Sequence, residues 1–233
     1  MGEMVTFASN GSTAEGYLAL PPGGDGSPGS GPGIILIQEW RGLVGHITHV
    51  ADRFAHAGFV TLAPDLYHGV RTSEPDDAGR LLMGLAMDTA AKDIDGAAAY
   101  LSGHEAVSGV PIGAVGFCMG GSLALWSATV AENVQAAVGF YPGLPWERMS
   151  PDWPSYDGKW AMIHCSEQDG TSAAPGIRAA VAAITGAGGS AETFDYPGTK
   201  HAFFNDDRPE VYDAAAAALA FDRTVEFLHS RLG

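Results

Sequence analysis

Gly116-Phe117-Cys118-Met119-Gly120-Gly121 decides how the rest of this chain is read. The six residues close a strand-like apolar run, Ile112–Phe117, and open a helix-like one, Met119–Val130. A strand that turns sharply into a helix, with a reactive side chain at the bend, is a nucleophile elbow, here with cysteine where serine is commoner. Small residues at 116 and 120 let the backbone bend tightly enough to lift one side chain above the sheet. The sulfur then meets the partial positive charge of a helix N-terminus, a setting that favours thiolate chemistry. A buried cysteine in a glycine-rich turn is the plainer alternative, which six residues alone leave open.

On both sides of this turn, strand-length apolar runs alternate with helix-length stretches. That alternation predicts βαβ units, an α/β fold with a mainly parallel central sheet flanked by helices on both faces. Residues 4–7 and 16–20 read as an opening antiparallel pair, and 21–33, nearly all Gly, Pro, Ser and Asp, as a flexible surface loop. Strands are expected over 33–38, 59–63, 136–141, 160–165 and 192–196, and helices over 47–57, 89–101, 174–187 and 209–232. Segment 65–88 has no strand signal and holds one short helix, where a lid would lie. The pattern describes a single domain over 1–233.

Composition narrows the function. With 46% hydrophobic residues among 233, the chain can bury a full core. Acidic residues number 27 against 12 basic, a net charge of −15 that repels nucleic acid and anionic bilayers. No run approaches the roughly 18 apolar residues of a membrane span. The opening Met1-Gly2-Glu3-Met4-Val5-Thr6 lacks the basic and apolar regions of a secretory signal, so the expected location is cytoplasmic. Cys118 and Cys165 cannot build a structural zinc site alone, and Cys165, ending an apolar run, reads as a small buried hydrophobe. His46 and His49 stand at a metal-like spacing without a third ligand, so no metal is expected.

A cysteine nucleophile needs a base and a group that orients the base. In a doubly wound sheet both belong on loops at strand C-terminal ends, in the chain order nucleophile, acid, histidine. Ser166-Glu167-Gln168-Asp169-Gly170 and Pro197-Gly198-Thr199-Lys200-His201 follow two expected strands in that order. Asp169 and His201 are the candidates. Glu167 competes for the acid role, but the turn allowed by Gly170 favours Asp169. Gln38-Glu39-Trp40-Arg41-Gly42 follows another strand at the same sheet edge. Backbone N–H groups there and at Met119 are where an oxyanion hole would form. Glu39 is out of place in such a loop, because a carboxylate beside a thiolate adds like-charge repulsion.

These stretches, together with Ala63-Pro64-Asp65-Leu66-Tyr67 and His201-Ala202-Phe203, resemble the dienelactone hydrolase family of α/β-hydrolases. The resemblance runs from about the first strand to the C-terminal helix. It implies Cys118 as nucleophile, His201 as base, Asp169 as its orienting partner, and an oxyanion hole from the N–H groups of Trp40 and Met119. It implies that Glu39 helps deprotonate the thiol when substrate displaces its resting ion pair. The expected reaction is acyl transfer from a small lactone or activated ester through a thioester, with no cofactor. In the family two arginines hold a substrate carboxylate. One position is Asn205 here, with Arg208 just beyond; the other is matched by Arg80, with Arg41 as an alternative, and Phe203 joins the candidate substrate contacts. Asparagine cannot give the bidentate, charged grip of arginine, so the chemistry carries over better than the specificity. A ligand-binding protein without turnover and thiol redox chemistry at Cys118 are the rival readings. Monomer and homodimer are both compatible with the sequence.

Overall fold

A computed structural model describes residues 2–9, 11–24, 27–109, 111–170 and 174–233. Its strands are β1 (Glu3–Ser9), β2 (Ser12–Ala19), β3 (Gly33–Ile37), β4 (Val60–Pro64), β5 (Ile112–Phe117), β6 (Val134–Phe140), β7 (Trp160–Ser166) and β8 (Ser190–Tyr196). They form one sheet in the order β1-β2-β4-β3-β5-β6-β7-β8. The β1–β2 and β2–β4 pairs are antiparallel and every later pair is parallel. The helices are α1 (Gly45–His56), α2 (Pro75–Gly84), α3 (Met87–Ser102), α4 (Met119–Val130), α5 (Ala174–Gly186) and α6 (Ala214–Leu232).

Strand periodicity explains the two layers of core. Alternate side chains point to opposite faces, so Ile35 and Ile37 of β3 pack with α3 and α4, while Ile34 and Leu36 pack with α1 and α6. Both faces are covered, which is why β3, β4 and β5 are buried along their whole length and nearly all apolar rather than alternating. β5 lies between β3 and β6 near the middle of the sheet, and that places the elbow at the centre of the C-terminal edge.

Three expectations are adjusted. The 65–88 stretch contains all of α2 and the start of α3, because Gly84-Leu85-Ala86 breaks the helix with extended backbone at Leu85 and Ala86. The Arg148 guanidinium holds that corner, donating to the carbonyls of Leu82, Met83 and Leu85 at 3.0, 3.3 and 3.3 Å. The last helix begins at Ala214 rather than 209, because Asp213 caps it by accepting from the Ala216 N–H at 2.9 Å. The described part of 21–33 is tied down by isolated bridges, Pro22 to Pro28 and Gly31 to Val107; Asp25 and Gly26 lie outside the described residues. Among the described residues, no helix is long and apolar enough to cross a membrane.

Candidate active site

The elbow has the geometry its glycines predict. Cys118 sits at φ 56° and ψ −117°, a strained conformation for a residue with a side chain, costing roughly 1–3 kcal/mol. A Cβ at Gly116 would strike the Gly120 carbonyl, and one at Gly120 would strike the carbonyls of both Ile37 and Gln38. Such close packing holds the strain: the Cys118 N–H donates to Phe140 O at 3.0 Å, and the Cys118 carbonyl accepts from Gly121 and Gly143 at 3.0 and 3.2 Å. Met119 opens α4, so no intrahelical carbonyl can reach its N–H. Trp40, just past β3, has an N–H that no backbone carbonyl among the described residues engages. The side chain of Met119 is fixed by the buried Tyr67, whose hydroxyl donates to its Sδ at 3.3 Å. Burial first, and the charge of Cys118 second, push the Tyr67 phenol well up.

Asp169 and His201 come from loops at the ends of β7 and β8. His201 Nδ1 lies 2.6 Å from Asp169 Oδ2, which also accepts the Ser166 hydroxyl at 2.6 Å. The two loops are laced together: the His201 N–H donates to Gln168 Oε1 at 2.9 Å and the Gln168 N–H to Thr199 O at 3.2 Å. Glu167 accepts the Gly198 N–H at 2.5 Å, so it belongs to this lacing while Asp169 meets the imidazole. Burial alone would lower the His201 pKa. Hydrogen bonds to Asp169 and Cys118, and the charges of both, instead raise it to about 10. Burial would raise Asp169, yet hydrogen bonds from His201 and Ser166 and the His201 charge hold it below its ordinary value. Cys165 is buried and its thiol is pushed up to about 12, chiefly by burial, which suits a packing role. Both cysteines are free thiols.

Glu39 lies behind this group, 4% exposed. Its Oε2 accepts from Asn205 Nδ2 at 2.9 Å and its Oε1 has no hydrogen-bond partner. Asn205 is itself buried and its Oδ1 accepts the Asp207 N–H at 3.1 Å, so the amide is oriented to donate to the carboxylate. Tyr141, buried edge-on against His201 with ring centroids 5.1 Å apart, has a phenol pushed well up by burial and then by the charges of Glu39 and Cys118.

Cys118, Asp169 and His201 open onto one cavity of about 420 Å³, walled by Pro142, Leu144, Pro145, Trp146 and Ile177. Trp146 is anchored by its indole N–H on Gly176 O at 2.8 Å. The other residues expected to contact substrate stand elsewhere. Arg80 is exposed, paired with Asp77, and lines a separate cavity of about 340 Å³ with Tyr67 and His68. Arg41 donates to the Ser73 carbonyl. Phe203 is wholly buried against Tyr141 and Tyr196, with centroids at 5.3 and 4.9 Å. Arg208 pairs with Glu210 at 3.0 Å, although its charge reaches Tyr141. The residues that sequence reasoning passed over are Tyr67, Tyr141, Trp146 and Ser166. Tyr141 and Trp146 follow β6 at the same sheet edge as the elbow, and that position was the available signal.

Comparison with known proteins agrees with this architecture. The profile of the dienelactone hydrolase family matches residues 14–232. Over 239 aligned residues the chain is 34% identical to Protein usf of Aquifex pyrophilus, covering 100% of both chains. A dienelactone hydrolase-like promiscuous phosphotriesterase from metagenomic libraries superposes with a TM-score of 0.86 at 21% identity, covering 100% of this chain and 99% of that one. The dienelactone hydrolase of Anabaena variabilis superposes with a TM-score of 0.73 at 20% identity, with the same coverage. At those identities the two structures speak to the fold, while the match of the profile over nearly the whole chain speaks to descent. This protein belongs to the dienelactone hydrolase family, a family of α/β-hydrolase fold whose membership supports hydrolysis of esters or lactones.

Proposed function

We propose that this protein hydrolyses a small lactone or activated ester by nucleophilic catalysis at Cys118. The observation that carries the reading is the convergence of Asp169 and the strained Cys118 on the two sides of one imidazole. The sulfur attacks the carbonyl carbon and the carbonyl π pair moves to oxygen. The N–H groups of Trp40 and Met119 receive that oxyanion, each donor worth roughly 3 kcal/mol in such sites. As the tetrahedral species collapses, the C–O bond breaks and the alkoxide takes the proton on His201 Nε2, leaving a thioester. Water then gives a proton to the imidazole and attacks the thioester, and the C–S bond breaks to free the acid and the sulfur. Asp169 keeps the ring in the tautomer both steps need. Glu39, held by a neutral amide rather than by an arginine, would take the thiol proton on its unpartnered oxygen when substrate enters and hand it to His201 Nε2, and that is the proton the alkoxide later receives.

Wild type, Cys118→Ala and Cys118→Ser are compared on a chromogenic acetate and on an uncharged small lactone, with acid-quenched samples analysed by peptide mass. The expected outcome is turnover by wild type, none by the alanine variant, and an acyl mass increment on the peptide containing Cys118. Undiminished turnover by Cys118→Ala removes the proposal.

A further inference from the structure

Resting on the hydrolase reading, we propose that the Cys118 cavity selects substrates carrying no negative charge, with Glu147 as the residue in its wall that turns carboxylates away. The charged groups lining the cavity are Glu147, Asp169 and His201, and no lysine or arginine joins them among the described residues. The imidazole is held by Asp169 on one side and Cys118 on the other, so its charge is already matched within the triad. A buried carboxylate, Glu39, lies behind.

Arg148, Arg208, Arg80, Arg41 and Arg178 are either engaged elsewhere or outside the cavity lining. Arg148 spends its terminal nitrogens on three carbonyls of the α2–α3 corner. Arg208 is paired with Glu210, Arg80 with Asp77, and Arg41 donates to the Ser73 carbonyl. Arg178 lines the cavity on the far side of Asp169 and not this one. A carboxylate entering the cavity would lose part of its water, find no free donor fork in the lining, and face the carboxylates of Glu147 and Asp169. The remaining wall is proline, leucine, isoleucine and tryptophan, suited to an uncharged acyl or alkyl arm.

The test pairs para-nitrophenyl butyrate with the mono-para-nitrophenyl ester of glutaric acid, which differs chiefly by a terminal carboxylate. At low ionic strength, wild type is expected to favour the butyrate ester by about tenfold or more in kcat/KM. Glu147→Gln, on an exposed turn, narrows that preference by about threefold, and added salt narrows it further in wild type. Equal or better turnover of the glutarate ester by wild type overturns the proposal, as does a preference that Glu147→Gln leaves unchanged. If wild type turns over neither ester, the hydrolase reading has failed, and alkylation of Cys118 then decides the selectivity on its own. The ratio of iodoacetate to iodoacetamide rates, followed on the Cys118 peptide, rises about threefold in Glu147→Gln if the proposal holds. An unchanged ratio sinks it.

Discussion

Replacing Asn205 with aspartate isolates the device that holds Glu39. The substitution is nearly isosteric and exchanges one donor, the Nδ2 that sits 2.9 Å from Glu39 Oε2, for an acceptor. Two ionised carboxylates at that separation repel by about 6 kcal/mol at an effective dielectric of 20. Losing a hydrogen bond to a charged acceptor adds roughly 2 kcal/mol. Such a penalty is comparable with the whole stability of a typical domain, roughly 5–15 kcal/mol, so the buried pair relaxes by taking up a proton or by moving apart. Proton uptake is easier at low pH, and the sign follows: Asn205→Asp approaches wild type near pH 5 and falls away from it as pH rises to 8. Asn205→Ala, which removes the donor without adding charge, loses about 2 kcal/mol with little dependence on pH over that range. For a chain of this length that corresponds to a Tm lower by about 4–8 °C. Urea and thermal melts of the three proteins at pH 5 and pH 8 make the measurement. An Asn205→Asp protein as stable as wild type at pH 8 would show that Glu39 is not held as described.

Gly120→Ala drives a methyl group into the carbonyls at the end of β3, which can relieve it only by separating β3 from α4. Trp40 and Met119 ride on those two segments, so a stability loss of about 1–3 kcal/mol accompanied by a much larger drop in kcat is expected from melts and steady-state kinetics. A variant that is destabilised but fully active would break the link between that packing and the oxyanion site. Asp169→Asn removes the partner that raises His201. The raised pKa means that His201 stabilises the fold fully below its ordinary value of 6.5, and that this contribution is lost as pH climbs through about 10. Melts of wild type are therefore expected to weaken between those limits and melts of Asp169→Asn to weaken less, with the His201 titration followed by NMR moving to lower pH. Activity falls by a factor on the order of 10⁴, the cost of a wrongly oriented base.

Much of this arrangement was legible before any coordinates. The α/β alternation, the elbow, and the positions of Asp169 and His201 past the fifth and sixth parallel-type runs rest on local signals: period, small residues at a bend, and loops that follow strands. The helix limits were less legible. Nothing in Pro209-Glu210-Val211-Tyr212 forbids a helix, and only the Asp213 cap fixes the start at Ala214. Contacts distant in sequence were not legible. Arg148 reaching the α2–α3 corner, Tyr67 bonding to Met119, and Asn205 meeting Glu39 across 166 positions depend on how layers stack, which periodicity does not encode. The substrate arginines show the same limit in reverse: a residue type at a familiar offset does not fix where a long side chain on an exposed helix points.

The lacing of the two loops past β7 and β8 has its own consequence. Because Gln168, Glu167 and Thr199 fasten those loops to each other, Asp169 and His201 are expected to shift together relative to Cys118. A displacement at this margin of the sheet would alter the reach to sulfur while leaving the carboxylate–imidazole contact intact.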